Sequence, residues 1–92
     1  MASIGYLLMT EFHSEASAAG DNYERKFAFD SAEGMVNNFL HGRTAEECLT
    51  LTKQVISEWT TDEQHSTEEQ EAFKDALMII DLFAEQYNLE LN

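Results

Sequence analysis

Three histidines, one cysteine and eighteen carboxylates are the side chains of this 92-residue chain that could do chemistry. Histidines paired four apart on a helix, or cysteines in a CxxC, would hold zinc. His13, His41, His65 and Cys48 form neither pattern, and no HExxH occurs. Cys48 sits on an apolar helical face, where a thiol is ordinarily a small buried hydrophobe. A hard cation would need oxygen ligands converging from several directions. The nearest segment, "DNYERKFAFDSAE", lacks the alternating Asp/Asn ligands and central glycine of such a loop. No phosphate-binding glycine loop and no Gly-x-Ser-x-Gly nucleophile elbow is present. The residues predict no catalytic centre, no metal site and no cofactor.

The remaining chemistry is charge. Eighteen acids against five Lys and Arg give a net charge of −13. Residues 58–92 hold ten of the acids and one base, a net of −9, whereas residues 1–57 hold eight acids and four bases, a net of −4. Self-repulsion of this size opposes compaction, so it suits either solubility or a basic partner. Direct nucleic-acid binding and adhesion to anionic lipid are disfavoured, because both need Lys and Arg. The carboxylates that cluster are Glu58, Asp62, Glu63, Glu68, Glu69, Glu71, Asp75, Asp81 and Glu85. Glu71/Asp75 and Asp81/Glu85 are four apart, which makes them neighbours on a helix at a cost of a few tenths of a kcal/mol per pair. Lys74 offsets only part of that.

These residues must be positioned by a fold, and 43% hydrophobic residues allow a single core. Three helices are predicted. One starts after "DSAE", with Asp30 or Ser31 as N-cap and Asp30/Glu33 spaced as a capping box, buries Ala32, Met35, Val36, Phe39 and Leu40, and stops at Gly42. A second starts at the capping box Thr44/Glu47 and runs to about Trp59, with Ala45, Cys48, Leu49, Thr52, Val55, Ile56 and Trp59 on one face. A third starts at Ser66/Glu69 and has the strongest period in the chain: Phe73, Ala76, Leu77, Ile80, Phe83, Ala84 and Tyr87 share one face. Opposite that face lie Glu68, Glu71, Asp75, Asp81 and Glu85, together with two large apolar residues, Met78 and Leu82. An apolar pair among carboxylates points either to wide burial or to a partner surface. Trp59, Met78 and Leu82 are the candidate anchors for a dimer or partner contact.

The N-terminal third reads less simply. "YERKFAFD" alternates with period two, placing Tyr23, Phe27 and Phe29 on one face, so it is predicted as a strand. It needs a partner, and "IGYLLMTEF" is the local candidate, with "HSEASAAGDN" as the loop between. Ile4, Leu7, Leu8 and Phe12 also fit a helix over residues 4–19, the competing reading. The predicted fold is therefore α+β, one domain over residues 1–92, with a two-stranded antiparallel hairpin packed against three α-helices. A single cysteine and the absence of a basic start or long apolar run fit a cytoplasmic protein.

By size, charge and the carboxylate rows in "TTDEQHSTEEQEAFKD" and "DLFAEQ", the chain resembles the small acidic DNA-mimic proteins that phages encode against host defences, the anti-restriction proteins among them. The resemblance covers the C-terminal third and rests on charge layout. It implies a non-enzymatic inhibitor, often a homodimer, that occupies the DNA site of a restriction nuclease or nucleoid protein in the host cytoplasm. Carboxylates on successive helical turns, about 5.4 Å apart, would stand in for phosphates. An acidic protein–protein module of immunity or antitoxin type, anchored by apolar residues, is the alternative that the residues themselves support.

Overall fold

The computed structural model describes residues 3–91, and among these there is no strand. Four helices form instead: α1 (Ile4–Ala18), α2 (Tyr23–Phe39), α3 (Ala45–Trp59) and α4 (Thr67–Gln86). The α+β expectation, with its hairpin, is thus overturned. Both segments expected as strands are helical, and the expected loop is mostly the end of α1.

Local chemistry explains the correction. Ser3 caps α1 by accepting from the Tyr6 N–H at 3.1 Å, and Asn22 caps α2 by accepting from the Arg25 N–H at the same distance. Gly20, at φ +59°, lets the chain reverse between them in a few residues. Once α2 begins at Tyr23, Asp30 and Ser31 lie in mid-helix rather than at its start, and Lys26 reaches Asp30 one turn on at 3.4 Å. The inward residues are Ala28, Phe29, Ala32 and Val36, a helical rather than an alternating set. Tyr23 and Phe27, expected inward with Phe29, face out. A two-stranded ribbon would have left backbone groups unpaired along both edges, whereas two helices satisfy theirs internally.

Arg25 of α2 reaches Asp75 of α4, and Lys53 of α3 reaches Asp81 of α4 from the other side. Phe12 meets Phe29 at 5.8 Å between α1 and α2, and Trp59 meets Phe73 at 5.1 Å where α3 ends beside α4. α2 packs against all three other helices, while α1 packs chiefly on α2. Gly5 makes that close: a Cβ there would come within 2.6 Å of the Leu40 side chain. One core joins the four helices, with Leu8, Phe12, Phe29, Val36, Leu49, Ile56, Phe73 and Ile80 fully buried. Its one buried polar residue among those described, Thr52, donates to the Cys48 carbonyl at 2.7 Å. Of the three expected capping boxes, Thr44/Glu47 and Ser66/Glu69 are formed with both of their hydrogen bonds, whereas Asp30 and Glu33 lie inside α2 and cap nothing.

Candidate partner-binding surface

α4 is held between α2 and α3, and this decides what each of its carboxylates does. At 100° per residue, Glu71, Lys74, Leu82 and Glu85 lie within about 40° of Met78, along the line of the helix farthest from the core. Asp75 and Asp81 lie about 60° to either side. Asp75 accepts from Arg25 of α2 at 2.8 Å, and Asp81 accepts from Lys53 of α3 at 2.8 Å. The two flanks of α4 are therefore bridged to its neighbours. The crest between them is open: Met78 is 63% exposed and Leu82 60%. Wide burial of this pair, one of the two readings of the sequence, does not occur.

The nine carboxylates expected to work together divide. Four serve the fold. Asp75 and Asp81 are the bridges just described. Glu69 completes its capping box by accepting from the Ser66 N–H at 2.8 Å, and lies 3.6 Å from the His65 Nδ1. Asp62 accepts from the Gln64 N–H at 2.9 Å and shapes the loop before α4. The other five, Glu58, Glu63, Glu68, Glu71 and Glu85, are exposed. Glu71 receives Lys74 at 3.2 Å, while among the described residues Glu58, Glu63, Glu68 and Glu85 have no cationic side chain within 4.0 Å.

Trp59 is placed differently from Met78 and Leu82. It is half-buried, with its ring against Phe73 and 6.0 Å from His65, so it closes the edge of the core. Cys48 is buried, its S–H directed at the Val36 carbonyl at 3.8 Å, and burial raises its pKa despite the Thr52 hydroxyl and Arg43. Such a thiol is inert. Among the described residues no group of three or more His, Cys, Asp and Glu is placed to hold a metal ion. A depression of about 460 Å³ at the start of α3 is lined by Thr44, Glu46, Glu47, Thr50, Leu51 and Glu90. Its carboxylates have structural duties: Glu47 caps α3, and Glu46 accepts from the Glu90 N–H at 2.8 Å.

A second exposed apolar pair was not expected. Tyr23 is 77% exposed and Phe27 50%, one turn apart on the outer side of α2. Their spacing of four was the available signal, masked by the period-two pattern that Phe29 completes. Beside them the Glu24 carboxyl meets that of Glu68, where the first turns of α2 and α4 come together. The hydrogen bond with Glu68, then desolvation, then the Glu68 charge raise the Glu24 pKa above the ordinary glutamate value.

In comparisons with known proteins, no family model, no curated protein and no solved structure matches the chain. No helix among the described residues is long and apolar enough to cross a membrane.

Proposed function

We propose that this protein is a non-enzymatic binding module whose α4 crest docks a basic protein. The observation that carries the reading is Met78 and Leu82 standing exposed at the centre of that crest, with Glu71 and Glu85 at its two ends and the flanking acids already bridged. Interfaces take most of their energy from a few desolvated apolar anchors, while rim charges speed the encounter and select the partner. Two exposed apolar residues with an acidic rim suit a segment that offers Leu or Ile beside Lys and Arg.

A second copy of the chain suits this face poorly. Setting Met78 on Leu82 of a twofold-related α4 places Asp75 of each copy opposite Glu85 of the other. Each copy also carries −13. A homodimer through this face therefore has to overcome like-charge repulsion at its rim and across its whole surface.

The DNA-mimic reading is the second one. It is favoured by the −9 charge of residues 58–92 and by Glu58, Glu63, Glu68 and Glu85, which have no cationic partner within 4.0 Å among the described residues. Against it, Asp75 and Asp81 spend their charge inside the molecule.

One titration separates the two. An 18-residue Leu/Lys amphipathic helix is the probe, measured by calorimetry against the wild type and Met78→Ser/Leu82→Ser, which has the same charge. Docking on the crest predicts a loss of about tenfold or more in affinity; unchanged affinity would contradict it. In parallel, displacement of a labelled duplex from a purified nucleoid protein would favour the mimic reading.

A further inference from the structure

The Tyr23/Phe27 pair supports an inference that does not depend on the α4 crest. Inside this molecule an arginine already meets an aromatic ring and a carboxylate together. Arg25 lies over Phe29, 4.9 Å from the ring centroid, while it donates to Asp75 at 2.8 Å. Arg43 lies over the Phe39 ring at 5.3 Å, a second guanidinium on an aromatic face. A guanidinium suits such sites because it is planar, weakly hydrated and able to fork onto carboxylate oxygens while stacking on a ring face.

The outer side of α2 presents the aromatic and carboxylate parts of that arrangement to solvent. Tyr23 and Phe27 share one outer face, and Glu24 is three residues from Phe27, a surface neighbour of it. Glu68 stands against Glu24 from the first turn of α4, and the His65 ring lies 6.4 Å from Phe27, bounding the patch on the loop side. This chain's own nearby cations are engaged elsewhere: Arg25 with Asp75 and Lys26 with Asp30. Two carboxyls held against one another favour a cation that relieves their repulsion.

We propose that the outer face of the first two turns of α2 docks an arginine side chain of a partner segment, its guanidinium stacked on Tyr23 and Phe27 and its N–H groups donating to Glu24 and Glu68. The surface thereby distinguishes arginine from lysine, which net charge alone does not. Lysine keeps the charge but lacks the planar face and the fork.

The test compares hexa-arginine and hexa-lysine peptides, equal in charge, by calorimetry at moderate salt, with backbone amide shifts recorded by NMR. Wild type is expected to bind hexa-arginine about two- to fivefold more tightly, the range of an exposed cation–π contact, with the largest shifts near residues 23–27. Tyr23→Ser/Phe27→Ser leaves the charge unchanged and is expected to abolish the preference. Glu24→Gln/Glu68→Gln is expected to weaken hexa-arginine more than Glu11→Gln/Glu15→Gln, which removes the same charge from α1. Both aromatic residues are exposed, and circular dichroism checks that the variant is folded; Tyr23→Ser alone serves if the double variant is not. The proposal is overturned if wild type shows no preference, or if the preference survives the aromatic substitutions. It is also overturned if Met78→Ser/Leu82→Ser removes the preference while Tyr23→Ser/Phe27→Ser does not.

Discussion

The flanks and the crest of α4 carry the same residue types to different ends. On the flanks, Asp75 and Asp81 reach Arg25 and Lys53 and tie α4 to α2 and α3. On the crest, Glu71 and Glu85 face solvent beside Met78 and Leu82, Glu71 bridged only within its own helix to the exposed Lys74. About 60° of rotation separates a carboxylate that helps hold the fold from one available to a partner. A dense acidic stretch is therefore not one surface, and counting charges overstates how many of them a partner meets.

The comparison is tested most severely by setting the inner face of α4 against its crest. Phe73→Ala removes a fully buried ring and is expected to cost about 3–5 kcal/mol in denaturant unfolding. Met78→Ala should stay within about 0.5 kcal/mol, as exposed sites do. A crest substitution as costly as the core one would mean that the crest is part of the packing. Next in size is the start of the helix. Ser66→Ala removes the hydroxyl that accepts from the Glu69 N–H and should cost about 1 kcal/mol, which marks Glu69 as a capping rather than a docking acid.

The flank bridges come third. A double-mutant cycle on Arg25 and Asp75 should give about 0.2–1 kcal/mol, shrinking as salt is added, since both side chains are partly exposed. Coupling indistinguishable from zero at low salt would remove the distinction between flank and crest. The smallest effects concern pH. The Thr44 N–H, then its hydroxyl, lower the Glu47 pKa. Its contribution is present above the ordinary glutamate value and is lost as pH falls through the lowered one. Glu24 has the opposite sign, its pKa being raised chiefly by Glu68. Its unfavourable contribution grows as pH rises through the ordinary value. Glu24→Gln is therefore expected to raise the melting temperature at neutral pH, with the gain vanishing in acid.

Much of the C-terminal half was legible in the sequence. Thr44/Glu47 and Ser66/Glu69 announce their helices by local chemistry that tertiary contacts do not override, and the period through Phe73, Ala76, Ile80 and Ala84 fixes the inner face. The helical wheel put Met78 and Leu82 on the acidic side but left burial and exposure both open, because which neighbours cover α4 is decided only by packing. The N-terminal half was misread because Tyr23, Phe27 and Phe29 satisfy alternation by coincidence. The decisive signals were weaker: an Asn cap at Asn22, a one-glycine turn at Gly20, and Gly5 allowing α1 to approach Leu40. Which acids would be bridged was not legible, because Arg25 and Asp75 are fifty positions apart and meet only through packing. The outward placement of Tyr23 and Phe27 was lost with the same strand.

The central claim, that the crest rather than total charge engages a partner, is tested most directly by two charge-matched variants. Glu71→Gln/Glu85→Gln and Asp75→Asn/Asp81→Asn each remove two negative charges, the first from the crest and the second from the flanks. Affinity for the Leu/Lys amphipathic helix would be measured for both at low and moderate salt. The crest variant is expected to bind about fivefold or more weakly, with a shallower salt dependence, while the flank variant stays within about twofold of wild type. Equal weakening by the two variants would show that only net charge matters and would contradict the account.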